Sequence, residues 1–234
     1  MARVASTAGS STQPLRHDVH RVVSSRFPPV LLFDVAQDAE ELELLAALES
    51  LTNDRVRDEL GQIALVPLGE GVYGPGCTPI MAAFCHPRAS RFTDGQVGVY
   101  YAALQPQTAI LETVFHLERL LRDAHLPPEQ LQMRRYQGRV VKPLTRLPTR
   151  GRERLLDPDP AHYAAPQAFA AAQRAQGCWG LYYPSVRDTP QGRCVAIFRP
   201  RALAPVVQSA HYRYHWNGQR IEHVDEIQSY QVDR

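Results

Sequence analysis

Several functional classes are excluded by what this chain lacks. No run approaches the ~20 consecutive apolar residues that a membrane-crossing helix needs. The first 13 residues are small and polar, without the apolar core of a secretory signal. There are only four cysteines, Cys77, Cys85, Cys178 and Cys194, with no CxxC pair and no zinc-ligand spacing. They read as buried thiols of a soluble protein in a reducing cytosol. Neither sign of charge dominates: 26 Lys and Arg face 24 Asp and Glu, a formal net charge of +2. Whole-chain charge therefore gives no argument for a nucleic-acid partner. Gly69, Gly71, Gly74 and Gly76 lie in a loop without the GxxxxGK[ST] pattern of a nucleoside-triphosphate cradle. No internal repeat is visible.

What is present is an ordinary globular composition, 44% hydrophobic and 21% charged over 234 residues. That length suits one core, or one core with an added segment. Residues 1–25 are rich in Ser, Thr, Ala and Gln and read as a mobile tail. Phe27 to Phe33 is a short apolar run with a proline pair, an extended segment or a strand, after which Asp38 can cap a helix carrying Leu42, Leu45, Leu48 and Leu51 at helical spacing. Its early acids, Glu40, Glu41 and Glu43, suit the positive end of the helix dipole. Residues 65–79 read as loop and Ile80–Cys85 as a buried strand. Gly98–Leu104 is the strongest strand, dense in β-branched and aromatic residues. A helix follows from Gln107 or Thr108 to the Pro127-Pro128 stop.

Tyr136–Val141 reads as a strand, Pro166–Gln176 as a helix ending at Gly177, and Trp179–Tyr183 and Cys194–Phe198 as strands. Tyr212–Trp216, the Asn217-Gly218 turn and Arg220–Val224 make a hairpin signal. Strands outnumber helices and come in both orders, so the fold class is α+β. The basic stretch from Arg134 to Arg154 is either a solvated rim or a phosphate-binding surface.

Chemistry concentrates in three stretches: Ser90-Arg91-Phe92-Thr93, then Tyr100-Tyr101 with Thr108 to His116, and Gly180 to Arg187. Glu112 sits among Ile110, Leu111, Val114 and Phe115, where an unpaired carboxylate is costly. His116 follows four residues later on the same helix face, which also carries Thr108. Arg91 is the nearby cation in sequence. Ser185 ends an apolar strand after a proline. Tyr100 and Tyr101 point to opposite faces of their strand, so only one of them lines a given pocket. Singly, each residue has a structural reading: a solvated helix position, a rim histidine, a turn serine. A metal site at Glu112 and His116 lacks a third ligand at sensible spacing.

Taken in order, SRFTDGQVGVYYAA, TAILETVFH, GLYYPSVR and the later CVAIF resemble the RES domain, named for an Arg, a Glu and a Ser. The resemblance runs from about Gly74 to about Pro200. It implies an ADP-ribosyltransferase-like α+β fold, a small curved β-core with flanking helices over 74–205. Residues 26–73 would be an N-terminal extension, and 206–234 a hairpin packed on the domain.

The resemblance places the family's Arg at Arg91, its strand Tyr at Tyr101, its Glu at Glu112 and its Ser at Ser185. His116 matches the histidine of the ADP-ribosyl-transferring branch. It implies NAD+ as substrate, no metal, and cleavage of the nicotinamide–ribose bond. ADP-ribose would pass to water, phosphate or a protein. Glu112, Arg91 and His116 would act in catalysis, while Arg91, Tyr101, Ser185 and Thr108 would bind the dinucleotide. An Xre/ParS-type antitoxin would block the cleft of this toxin in the bacterial cytoplasm. Many family members carry a further strand Arg on the dinucleotide phosphates, and the 80–85 segment has none. The rival readings are a metal-dependent hydrolase, a module binding protein or nucleic acid, and a degenerate NAD-binding domain.

Overall fold

The computed structural model describes residues 12–13, 17–25, 32–49, 63–148, 150–228 and 230. Among these, nine strands form one mixed sheet, confirming the α+β class. The strands are β1 (Thr12–Gln13), β2 (Asp18–Ser24), β3 (Tyr100–Ala103), β4 (Glu129–Arg139), β5 (Leu144–Arg146), β6 (Gly180–Pro184), β7 (Arg193–Ile197), β8 (Val207–Trp216) and β9 (Ile221–Ile227). Their spatial order is β1-β5-β6-β7-β3-β2-β4-β8-β9, antiparallel throughout except for β5 beside β6.

Alternation along the central strands divides the core in two. Cys194, Ala196 and Phe198 face one side with Tyr183 and Leu181. Val195 and Ile197 face the other side with Tyr100 and Ala102. The first side is covered by α4 (Pro106–Asp123) through Ala109, Ile110, Val114 and Leu121, and by α6 (Ala164–Ala175) through Phe169 and Ala170. The second is covered by α3 (Thr78–Cys85) through Ile80, Ala83 and Phe84. A third cluster joins α3 to α1 (Leu32–Val35) and α2 (Ala39–Glu49) through Leu32, Phe33, Leu42 and Met81. A short α5 (Arg152–Leu155) precedes the segment that closes over the first face.

Three local expectations are corrected. Ile80–Cys85 is not a strand but most of α3, whose first turn contains Pro79. A short apolar run does not distinguish a buried strand from a buried helix. Here the Asp34 carboxylate decides, accepting from Gly76 N–H at 3.0 Å and Thr78 N–H at 2.6 Å where the helix opens. Gly98 lets α3 approach β3 closely, since a Cβ there would stand 2.3 Å from the Phe84 Cα.

Asp18–Ser24, which composition assigns to a tail, is a central strand paired with β4 along its whole length. Val19 and Val22 are buried. The polar residues before it mask a short DVHRVVS strand pattern that only its partners stabilise. Asp38 caps α2 as expected, accepting from Glu41 N–H at 2.8 Å. The side chain of Leu48, all of Leu51, and Phe27 to Val30 fall outside what is described; Leu32 and Phe33 are helical rather than extended. The 212–224 hairpin is present and longer than its sequence signal, as β8 and β9.

Asp34→Ala removes the acceptor for two N–H groups and should cost about 1–2 kcal/mol, the usual range for a lost cap. Asp34→Asn, which keeps one carbonyl oxygen, should cost less. Urea unfolding checks the order; an Asp34→Ala protein as stable as wild type refutes the capping role.

Candidate active site

The sheet is not continuously zipped. β2 lies beside β3, but one residue pair alone, His20↔Ala103, joins them. Beyond that pair the two strands part, and backbone groups that a neighbouring strand would satisfy are left for other partners. Arg21 takes one, donating from Nη1 to the Tyr101 carbonyl at 3.1 Å while its guanidinium lies 4.7 Å from the Tyr100 ring centroid. A cleft of about 300 Å³ opens at this split, against α4.

Glu112 lines that cleft from the middle of α4. Ser185 donates its hydroxyl to Glu112 Oε1 at 2.6 Å, across 73 residues of sequence. The same Ser185 oxygen accepts from the N–H groups of Arg187 and Asp188, both at 3.0 Å, so its proton is directed at the carboxylate. Cys194 Sγ lies 3.7 Å from the same Oε1, and burial next to this carboxylate pushes its thiol pKa up. The carboxylate is thereby oriented by two donors, neither of them basic.

Thr108 is fully buried and does not line the cleft; its hydroxyl donates to Asp188 at 2.6 Å and ties α4 to the loop that carries Ser185. Thr108, expected to bind the dinucleotide, thus stands behind the cleft wall and bonds to Asp188. Thr108 and Glu112 share a helix face, but the 185–192 loop covers the Thr108 end of it.

Arg91 does line the cleft, with its guanidinium already engaged. Nη1 donates to the carbonyls of Leu155 and Asp157, at 3.2 and 2.7 Å, and Nη2 to the Tyr163 hydroxyl at 3.4 Å. These bonds tie Arg91 to the 155–163 segment, whose Tyr163 also lines the cleft. Arg187 holds that segment from the other side, donating to the Pro158 carbonyl, and its guanidinium carbon sits 3.3 Å from the Phe115 ring centroid.

Tyr101 presents its ring to the cleft while Tyr100 is buried on the opposite face, as strand alternation requires. The Tyr101 hydroxyl accepts from Phe92 N–H at 3.0 Å and pairs with the Ser90 hydroxyl at 2.9 Å, fixing the 90–93 turn. Burial raises its pKa to about 12. His116 stands at the rim with its ring exposed. Packing lowers its pKa and Glu112 opposes the shift, but solvent at an exposed ring weakens both effects.

The structure thus brings Arg91, Tyr101, Glu112 and His116 to one cleft, with Ser185 bonded to Glu112. It adds residues that sequence reasoning passed over: His20 and Arg21 from β2, Tyr163 and Tyr183, Arg187 and Cys194. Arg187 was within reach, in the GLYYPSVR stretch. His20 and Arg21 were hidden by the reading of residues 1–25 as a tail. Among the described residues, no group of three or more His, Cys, Asp or Glu side chains is placed to hold a metal ion. No described helix is long and apolar enough to cross a membrane.

An α+β sheet split beside a helix-borne glutamate defines a class of cleft-bearing domains. Comparison with known families makes the class specific: a family model of the RES domain matches residues 71–217, and the chain belongs to that family. An uncharacterized protein, y4oC of Sinorhizobium fredii, is 27% identical over 214 residues, covering 88% of this chain and 86% of its own. A chain of the M. tuberculosis MbcT–MbcA toxin–antitoxin complex superimposes with a TM-score of 0.45 at 10% identity, covering 88% of this chain and 87% of that one.

His20 is 9% exposed and its Nδ1 has no hydrogen-bond partner among the described residues. Burial, the largest cause, lowers its pKa below the ordinary 6.5. The unfolded chain therefore binds its proton first as pH falls, so His20 subtracts stability as pH drops from about 6.5 through its folded value. A ring titration followed by NMR should show a midpoint under 6.5, and His20→Asn should lose less stability than wild type between pH 7 and 5. A midpoint at or above 6.5 contradicts this account.

Proposed function

We propose that this protein is an NAD+-consuming enzyme that breaks the bond between nicotinamide and ribose, and that it acts as the toxin of a toxin–antitoxin pair. The observation that carries the reading is the Ser185–Glu112 contact at the floor of the split-sheet cleft. It joins the two residues that the resemblance matches to the Glu and the Ser of the family's name, in a chain that belongs to that family.

The chemistry suits these residue types. When the C–N glycosidic bond of NAD+ breaks, its electron pair leaves with nicotinamide, which departs neutral, and positive charge builds on the ribose. A fixed carboxylate stabilises that charge more in the transition state than in the ground state, which accelerates the step. Glu112 takes this role, gripping ribose hydroxyls, with Ser185 as the positioning residue that orients it. An acceptor oxygen then bonds to the ribose carbon and gives up its proton to Glu112 or solvent. The acceptor is water, phosphate or a side chain of a target protein. His116, at the rim, faces the ribose or the incoming acceptor.

Arg91 is redirected by its geometry: with its donors on Leu155, Asp157 and Tyr163, it anchors the 155–163 segment beside the cleft. Arg21 answers the expectation of a strand arginine that the 80–85 segment left unmet. It stands on β2, where the sheet splits. Tyr101 offers its ring to the nicotinamide. An enzyme that drains NAD+ in the bacterial cytoplasm needs a tight inhibitor, and the family resemblance supplies the expectation of an Xre/ParS-type antitoxin seated on the cleft.

Purified protein should release nicotinamide from NAD+, and mass analysis should assign the other product as ADP-ribose, its phosphate or a modified protein. Glu112→Gln keeps the shape and removes the charge; it should lower release by about a hundredfold or more, the usual cost of losing such a group. Equal turnover by Glu112→Gln, or none by wild type with or without phosphate, refutes the reading. Ser185→Ala leaves Glu112 in place but unoriented, so kcat should fall by a smaller factor with little change in KM.

A further inference from the structure

Beside the Glu112 cleft lies a cavity of about 480 Å³ that shares Arg21, Ser90 and Tyr101 with it, so the two spaces meet at Arg21. A third cavity, of about 290 Å³, has no lining residue in common with either. It lies where the last turn of α6 meets α3 and the 65–70 segment. Its walls are mostly apolar, with Leu65, Val66, Phe84, Val97, Phe198 and Pro200 among them. Three charged side chains also line it: Glu70, Arg174 and Arg199.

Two of these charges offset each other. Glu70 forms an ion pair with Arg199, whose guanidinium carbon also lies 3.8 Å from the Trp179 ring centroid. The other Glu70 oxygen is buried away from solvent. Arg174 is different. It makes no ion pair among the described residues, and its one hydrogen bond there runs from Nη1 to the Phe92 carbonyl at 2.7 Å. Burial lowers its pKa, against the opposing pull of Tyr101 and Asp94. A guanidinium drawn partly out of water against apolar walls is costly unless an anion comes to it. The two oxygens of a carboxylate match its planar fork.

Small-molecule sites span about 300–1,000 Å³, so a cavity at the low end takes a ligand no bigger than one substituted ring. We propose that this third cavity binds a small carboxylate with an apolar body the size of a single aromatic ring. Its carboxylate lies on Arg174 and its body against Phe84 and Phe198. The site stands apart from the Glu112 cleft and does not rest on the NAD+ reading. The Phe92 carbonyl that Arg174 holds belongs to the turn that carries Arg91, so the cavity and the cleft are joined through that turn.

Calorimetry on the full chain at low salt compares benzoate with benzamide, its uncharged isostere. Wild type should bind benzoate about tenfold more tightly, the scale of one charge-assisted hydrogen bond. Arg174→Gln keeps a donor for the Phe92 carbonyl but loses the charge; it should weaken benzoate about tenfold and leave benzamide as it was. Leu65 is exposed, so Leu65→Trp should fold; its ring fills the cavity and should abolish binding of both. Circular dichroism establishes that each variant is folded. Glu112→Gln should bind benzoate as wild type does, which places the ligand outside the Glu112 cleft. No benzoate binding at millimolar concentration, equal affinity for benzamide, or benzoate binding untouched in folded Arg174→Gln and Leu65→Trp overturns the site. So does a benzoate affinity that shifts in Glu112→Gln.

Discussion

Everything distinctive in this molecule depends on a sheet that fails to close. β2 and β3 are neighbours in a nine-stranded sheet, yet only His20 and Ala103 pair across them. Unpaired strand edges inside a protein leave N–H and C=O groups that must find partners. Here the Tyr101 carbonyl finds Arg21, and space remains on both sides of that contact. The split makes a deep recess without a long loop, walled by strands whose outer neighbours hold them rigid. A glutamate on the helix packed against this recess is presented to it at a set depth and angle.

Around the recess, the polar side chains are held in place by hydrogen bonds made before any ligand arrives. Ser185 aims at Glu112 because its oxygen is occupied by two backbone N–H groups. The loop bearing Ser185 is moored to α4 by Thr108 and Asp188. Arg91 and Arg187 both grip the 155–163 segment through backbone carbonyls. A guanidinium suits this task because it keeps several donors in a fixed plane. The arrangement resembles a preorganised site, in which orientation is settled before a ligand arrives.

Much of this architecture was legible in the sequence where local signals and tertiary packing agree. The Gly98–Leu104 strand, the helix from Pro106 and the Asn217-Gly218 hairpin all appear near their expected places. Where the two disagree, the sequence misled. The 80–85 run is apolar in a way that fits strand or helix alike, and a carboxylate 44 residues upstream in sequence opens it as a helix. Asp18–Ser24 looks like the end of a polar tail because a lone strand stabilises nothing until β4 pairs with it.

The sequence by itself determined the family and the fold class, and it marked Arg91, Tyr101, Thr108, Glu112, His116 and Ser185 as candidate site residues. Those follow from the resemblance of SRFTDGQVGVYYAA, TAILETVFH and GLYYPSVR to the RES domain, which residue types in order along the chain carry. Only the tertiary structure decided what each residue touches. It placed Arg91 on backbone carbonyls, Thr108 behind the loop, and Arg21 at the junction of two cavities. The reason is physical. A guanidinium or hydroxyl is satisfied by whichever acceptor long-range packing brings within reach, and Arg21 and Tyr101, 80 residues apart, meet only because the sheet places them side by side.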